Sequence, residues 1–425
     1  MTIKYTVTFT NNTTFTNNTQ TVIPNLVPNE KEHNFNSSRQ VKFDLNLRPF
    51  IVIWEMTQAC ELACKHCRAS ASPFRHRDEL TTQEGRKLLD EIAQFGKPRP
   101  IVVFTGGDPL LRTDFFELIG YSRNLGLATA VAPSGTNKLT AESLQQIKDS
   151  GATSISLSID GIQNAHDTFR GVQGSFETTI KAAELSKTIG LRLQINTSLT
   201  KLNVEELPKL GILAHKLNVV TWSIFLLVPT GRGVNLEPLT AEEVEDVFHF
   251  CVDLASFVPI KVTEAPHYRR VLKMRQECLE NKLDWRQYLT HGKLYDKLRL
   301  EFDELINSED NISFAKFEVS NIKRTPLIVN AGNGFAFISY NGNVCPSGFL
   351  PVAGGNIRTS SLLDIYQNSK VFKDLRDPTK LTGKCNQCDY LDICGGSRSR
   401  SFGISGNYEG DDPTCSYIPN FGGFL

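Results

Sequence analysis

From Phe50 to about Phe225, short apolar runs rich in β-branched residues alternate with longer stretches whose apolar positions recur at helical spacing. The runs Phe50–Trp54, Ile101–Phe104, Leu127–Val131, Ser154–Ile159, Leu191–Asn196 and Val219–Phe225 read as strands. Between them, Thr82–Phe95, Asp114–Asn124, Ala141–Ser150, Phe176–Ile189 and Val204–Lys216 read as amphipathic helices. Strand–helix repeats with short loops predict a parallel sheet with right-handed crossovers. Six such units are fewer than the eight of a closed barrel, so the fold class expected is α/β, a partial (β/α)6 TIM-like barrel. Functional groups should then collect at the C-terminal ends of its strands.

The pattern changes on either side of residues 46–235. Residues 1–45 are polar, and Thr8 to Thr21 is almost entirely Thr and Asn, which predicts a disordered extension outside the fold. Residues 236–330 form a more charged, helical bridging and substrate segment, with helices over Ala241–Phe257, Arg269–Asn281 and Lys293–Ile306. In 331–425 a Gly-rich stretch, Asn330 to Gly334, leads into a strand at Phe335–Ser339 and a hairpin turn at Asn341-Gly342-Asn343. The remainder is dense in Cys, Gly and Pro. It reads as a small Cys-rich C-terminal domain that needs a metal to fold.

Composition narrows the function. Of 425 residues, 40% are apolar and 22% charged, as in ordinary globular proteins. The 46 basic and 46 acidic side chains cancel, which argues against binding nucleic acid or anionic membrane through bulk charge. No apolar run reaches the roughly 18 to 20 residues of a membrane span, and the N-terminal stretch lacks the apolar core of a secretory signal. A cytoplasmic setting is expected, where cysteines serve metals or catalysis more often than disulfides. There are ten. Cys60, Cys64 and Cys67 cluster near the start, Cys345, Cys385, Cys388, Cys394 and Cys415 near the end, and Cys251 and Cys278 stand apart.

Cys60, Cys64 and Cys67 read C-x3-C-x2-C in the loop after the first strand. Three thiolates can hold three irons of a [4Fe–4S] cube and leave the fourth open to a bidentate ligand, for which the amino and carboxylate groups of S-adenosylmethionine (SAM) are suited. Spacing alone leaves a zinc site open, with His66 as a further ligand. After the second strand comes Thr105-Gly106-Gly107-Asp108-Pro109, where glycines permit close backbone approach and Asp108 offers an acceptor to an ammonium. An ordinary turn is the alternative.

Through Cys60-Glu61-Leu62-Ala63-Cys64-Lys65-His66-Cys67 followed by the GGDP element, the chain resembles the radical SAM superfamily. The resemblance implies a [4Fe–4S] cluster on Cys60, Cys64 and Cys67 that reductively cleaves SAM to a 5′-deoxyadenosyl radical, with His66 beside it. It implies that Gly106, Gly107, Asp108 and Pro109 bind the methionine amino group. Ser158 and Asp160 would face the ribose and carboxylate of SAM, Arg170 the carboxylate and Asn196 the ribose, while Leu227 and Val228 flank adenine. Strand-end or capping roles are the alternative for each polar residue. A flavodoxin- or ferredoxin-type reductant follows from the same resemblance.

Cys385-x2-Cys388-x5-Cys394-x20-Cys415 fits zinc or a fully ligated [4Fe–4S] cluster. Next to a radical SAM core it resembles the SPASM or twitch extension, as does Gly355 to Tyr366. The full SPASM pattern has a further Cys where this chain has Arg398, and of its upstream cysteines only Cys345 is present. The resemblance thus implies a single auxiliary [4Fe–4S] cluster on Cys385, Cys388, Cys394 and Cys415. Cys345 is expected to be a spare thiol near the substrate cavity, Cys251 a core residue, and Cys278 a helix residue without a partner.

The motif layout is similar to heme and d1-heme biosynthesis proteins and to peptide-modifying maturases. It implies an oxidoreductase that abstracts hydrogen from a small-molecule or peptide substrate, either a tetrapyrrole side chain or a ribosomal peptide. From another class, a non-catalytic iron–sulfur electron carrier or a zinc protein remains open. Clustered Arg and His in Glu264–Arg270 and in Lys323–Pro326 are candidates for binding a carboxylate-bearing substrate.

Overall fold

The computed structural model describes residues 43–308 and 328–419, so most of the polar extension and the candidates Lys323 to Pro326 lie outside the described residues. Six strands form where the apolar runs predict them: β1 (Ile51–Glu55), β2 (Ile101–Thr105), β3 (Ala128–Val131), β4 (Ser154–Ser158), β5 (Arg192–Leu199) and β6 (Thr221–Leu226). They lie side by side in chain order and parallel. The crossovers are α1 (Thr82–Ala93), α2 (Phe115–Asn124), α3 (Ala141–Ser150), α4 (Asn164–Arg170) with α5 (Ser175–Ile189), and α6 (Leu207–Lys216).

The sheet continues past both ends of this set. Residues 236–330 hold the expected helices α7 (Ala241–Leu254), α8 (Tyr268–Glu280) and α9 (Lys293–Asn307), but also a strand, β7 (Ile260–Thr263), parallel to β6. Its four residues include Lys261, too short and too mixed to stand out as an apolar run. At the opposite edge β8 (Phe335–Ile338) pairs parallel with β1, and the hairpin turn leads to antiparallel β9 (Asn343–Cys345) and β10 (Gly355–Asn356). The result is one 10-stranded sheet in the order β10-β9-β8-β1-β2-β3-β4-β5-β6-β7.

Alternation along the strands divides the sheet into two surfaces. One set of residues, among them Val52, Trp54, Val102, Phe104, Ile155 and Leu157, is 0% exposed beneath the helices. Each such side chain contributes about 1.5–3 kcal/mol by leaving water. The intervening residues face the inside of the curved sheet and are partly buried, alternating with fully buried ones along both β2 and β4. The barrel interior is therefore an open lumen. The helices are set by local signals: Thr81 and Thr240 each cap a helix in a reciprocal box with Glu84 and Glu243.

The C-terminal segment adds α10 (Leu362–Asn368), α11 (Lys370–Arg376), α12 (Gly383–Asn386) and α13 (Arg398–Ser405). It is tied to the barrel at α1, where the Glu91 carboxylate accepts from the Leu362 amide at 2.6 Å and Glu84 pairs with Arg358 at 2.6 Å. Among the described residues no helix is long and apolar enough to cross a membrane.

Candidate active site

Leaving β1, the chain runs through Cys60, Cys64 and Cys67 in a loop laid across the C-terminal ends of the strands. The loop is zipped to the end of β2: the Gly107 amide donates to Thr57 O and the Asp108 amide to Ala59 O, both at 2.7 Å. Gly106 and Gly107 are required by this contact. A Cβ on Gly106 would lie 2.6 Å from Thr57 O, and one on Gly107 would lie 2.7 Å from the Ala59 carbonyl carbon. The close approach that the paired glycines permit is thus to the cysteine loop itself.

Asp108 supports the same junction. It is 0% exposed, with Oδ1 accepting from the Leu110 amide at 3.2 Å and Oδ2 from Thr136 Oγ1 at 2.9 Å. Burial pushes its carboxyl above the usual range in spite of these bonds. With the Ser134 amide also donating to Oδ1 at 3.4 Å, its side chain holds the loops after β2 and β3 together. Ser134, which the sequence did not mark, donates to Gly107 O at 2.6 Å and lies 3.4 Å from Cys60 Sγ.

Two guanidinium groups surround the other cysteines. Arg170, at the end of α4, places Nη1 3.6 Å from Cys64 Sγ and Nη2 2.5 Å from Asp160 Oδ2. Burial works against the Asp160 carboxylate, but Arg170 outweighs it and holds the group below its ordinary value. Arg232, absent from the sequence expectations, donates to Cys64 O at 2.8 Å and Ala71 O at 2.9 Å. Gly231 (φ 54) beside it sits where a Cβ would lie 2.7 Å from the Arg68 carbonyl carbon. His66 stacks on Phe169 with centroids 4.5 Å apart. Burial keeps its imidazole neutral, pushed down to about 4 against the pull of Asp160.

The fit to an anionic cluster follows from this donor set. Cys60 and Cys64 are buried, and Cys67 packs against them in one small cluster with Leu62 and Ala71. Arg170 reaches Cys64 Sγ, and Arg170 Nε, Arg232 Nη2 and His66 Nδ1 are buried without hydrogen-bond partners. Ser158 and Asn196 pair in register on the inner face of β4 and β5, where the Asn196 amide oxygen accepts from Gln194 at 2.8 Å. Leu227 and Val228 are buried beyond β6.

The second set of cysteines also converges. Cys385, Cys388, Cys394 and Cys415 line one cavity together with His267, Arg270 and Lys384. Burial raises all four thiols above their ordinary value, Cys394 to about 12. Burial thus favours the neutral thiols, and the four could act as thiolates only with a metal centre to supply the compensating charge. Arg398, where the full pattern has a cysteine, is 5% exposed with Nη2 3.7 Å from Cys385 Sγ. Cys345 does not line this cavity; it faces inward on β9, opposite Phe337. Cys251 and Cys278 lie in the hydrophobic core.

The segment Glu264–Arg270 serves the second site instead of a free binding surface. Arg269 donates to Asn330 Oδ1, Ile393 O and Val329 O at 2.9–3.0 Å. Arg270 pairs with Glu245 at 2.5 Å, and His267 is 0% exposed beside Asp412. Arg400 of α13 is 1% exposed and binds Asp412 at 3.1 Å, while its other nitrogens reach Leu227 O at 3.1 Å and Glu264 O at 2.7 Å. One buried side chain thus docks the C-terminal segment on the ends of β6 and β7.

The lumen between these sites has two unlike walls. Ile51, Ile53, Ile101, Val103, Phe335 and Phe337 share the inner face of β8, β1 and β2. Ser156, Ser158, Gln194, Asn196 and Ser223 make the inner face of β4 to β6.

The sequence matches the family model described as the radical SAM superfamily over residues 54–211, and that of SPASM, an iron–sulfur cluster-binding domain, over 330–389. It is 38% identical over 374 residues to an AdoMet-dependent heme synthase of Oleidesulfovibrio alaskensis, covering 87% of each chain. An AdoMet-dependent heme synthase of Methanosarcina barkeri is 35% identical over 87% of this chain and 97% of its own length. Among solved structures, SuiB of Streptococcus suis bound to S-adenosylmethionine aligns with a TM-score of 0.61 at 15% identity, over 87% of this chain and 78% of SuiB.

Proposed function

The chain belongs to the radical SAM superfamily of iron–sulfur enzymes, and from that premise we propose that it is an oxidoreductase acting on the propionate side chains of an iron tetrapyrrole. The observation that carries the substrate class is the 38% identity to a heme synthase across 87% of both chains. An M. barkeri relative named Fe-coproporphyrin III synthase, 28% identical over 89% of this chain, supports the same class. A flat apolar macrocycle with polar carboxylates suits a lumen apolar on one side and polar on the other.

When bound, SAM and an open-iron [4Fe–4S] cluster supply a 5′-deoxyadenosyl radical for hydrogen abstraction, and an auxiliary cluster supplies an acceptor for the remaining electron. In this reading Cys60, Cys64 and Cys67 hold the first cluster and Cys385, Cys388, Cys394 and Cys415 the second. Arg170 and Arg232 favour the anionic thiolates and fix their loop. Neutral His66 and Phe169 keep water from it. Ser158 and Asn196 offer hydrogen bonds to the SAM ribose, and Leu227 and Val228 an apolar edge to its adenine. A flavodoxin- or ferredoxin-type protein delivers the reducing electron.

The test is anaerobic turnover of the reconstituted chain with SAM, dithionite and iron coproporphyrin III. Heme and 5′-deoxyadenosine should form together. Deoxyadenosine at the same rate without the porphyrin, and no change in the porphyrin's mass, would end the tetrapyrrole reading.

A further inference from the structure

The strand that the apolar pattern concealed carries a cation into the barrel. On β7, Lys261 pairs in register with Ser223 of β6, and Ser223 pairs with Asn196 of β5. The flanking Ile260 and Val262 pack on the opposite side against the core. Lys261 therefore stands on the polar wall of the lumen. Lys261 is exposed, on the edge strand of the sheet. The surrounding protein lowers the ammonium below its ordinary value, and Arg269 adds to the effect.

No carboxylate among the described residues pairs with it. Glu264, the acid whose field reaches it, accepts hydrogen bonds from Ser347 at 2.8 Å and Ser397 at 3.1 Å. Arg68, the cation near the apolar wall, is by contrast paired with Glu55 at 2.6 Å and lies over the Phe337 ring at 4.5 Å. Two residues along the same face as Lys261, the buried Thr263 Oγ1 also has no hydrogen-bond partner. An accessible ammonium on this wall, with no carboxylate paired to it and a second cation acting on it, is placed to take an anionic group. The anion must suit the rest of the lumen, an apolar wall ending at Phe337 and, near the rim, Phe225 and Phe349 at 6.2 Å.

We infer that Lys261 is a substrate-binding residue that anchors one carboxylate of the tetrapyrrole against the polar wall, an inference that rests on the proposed substrate class. A charge-assisted hydrogen bond from an ammonium to a propionate fixes how the macrocycle is turned in the lumen. Lysine suits a point contact to one carboxylate oxygen, whereas the neighbouring Arg269 is committed to backbone carbonyls.

The experiment is an anaerobic absorbance titration of the reconstituted full chain with iron coproporphyrin III and, separately, with its methyl ester in the same detergent buffer. Lys261→Gln should weaken binding of the acid by roughly 10- to 100-fold, leave binding of the ester unchanged, and be partly restored by Lys261→Arg. In wild type the acid should bind more tightly than the ester. If wild type binds the acid, and Lys261→Gln with unchanged iron content binds it equally well, the anchor is refuted while the tetrapyrrole reading stands. If wild type distinguishes neither porphyrin from buffer, the substrate class itself fails and the anchor with it.

Discussion

Gly107→Ala tests whether the cysteine loop depends on the glycine pair. The added Cβ would lie 2.7 Å from the Ala59 carbonyl carbon, against the 3.4 Å at which ordinary contact begins. The Ala59 carbonyl oxygen lies closer still, so the backbone one residue before Cys60 must move by at least about 0.7 Å, more than a β-carbon contact can absorb. That movement breaks the bonds from the Gly107 and Asp108 amides to Thr57 O and Ala59 O. Two buried backbone bonds at about 1–3 kcal/mol each give a local cost of about 2–6 kcal/mol. Anaerobic reconstitution followed by iron counting and electron paramagnetic resonance with and without SAM reads the outcome. The variant should lose the SAM-responsive signal and about four irons, and keep the auxiliary signal. Full iron with an unaltered SAM response would refute the argument that these glycines serve the loop-to-loop contact.

Arg170→Met should destabilise the chain by about 3–5 kcal/mol in urea unfolding, because it strands the buried Asp160 carboxylate. Asp160→Asn in the same chain should recover much of the loss; no recovery contradicts the pairing. Arg400→Ala should release the C-terminal segment from Leu227 O and Glu264 O and lower the auxiliary iron content, with Arg400→Lys intermediate. His166 and His249 are both held neutral, pushed down by burial to about 4. With an unfolded value near 6.5, stability is complete above pH 6.5 and falls as pH drops towards 4. At pH 5 the loss is about 2 kcal/mol for each, which stability curves of His166→Gln and His249→Gln should flatten.

Much of the barrel was legible because parallel strands covered by helices need continuous or alternating β-branched residues, as Ile51–Trp54 and Ile101–Phe104 show. Cysteine spacing was readable too: Cys385, Cys388, Cys394 and Cys415, grouped by spacing, line one cavity. β7 was not: at four residues, with Lys261 and Thr263 turned inward, it has no apolar run to detect. Partnerships that close only in space were hidden as well. Nothing near Arg232 or Arg400 in sequence reveals that their guanidinium groups bind carbonyls of Cys64 and Leu227. Arg269 erred in the other direction. Its charge suggested a substrate contact, but its donors are committed to Asn330, Ile393 and Val329. Asp108 was marked by motif as a ligand contact; that its carboxylate also accepts from Leu110, Ser134 and Thr136 was not legible in the sequence.

The central claim is hydrogen abstraction from a tetrapyrrole propionate, and isotope transfer tests it most directly. Iron coproporphyrin III deuterated in its propionate methylene groups would be incubated anaerobically with the reconstituted chain, SAM and dithionite. The 5′-deoxyadenosine would then be weighed by mass spectrometry. The account predicts one deuterium in the nucleoside for each side chain converted. Deoxyadenosine without deuterium, beside unchanged porphyrin, would contradict it.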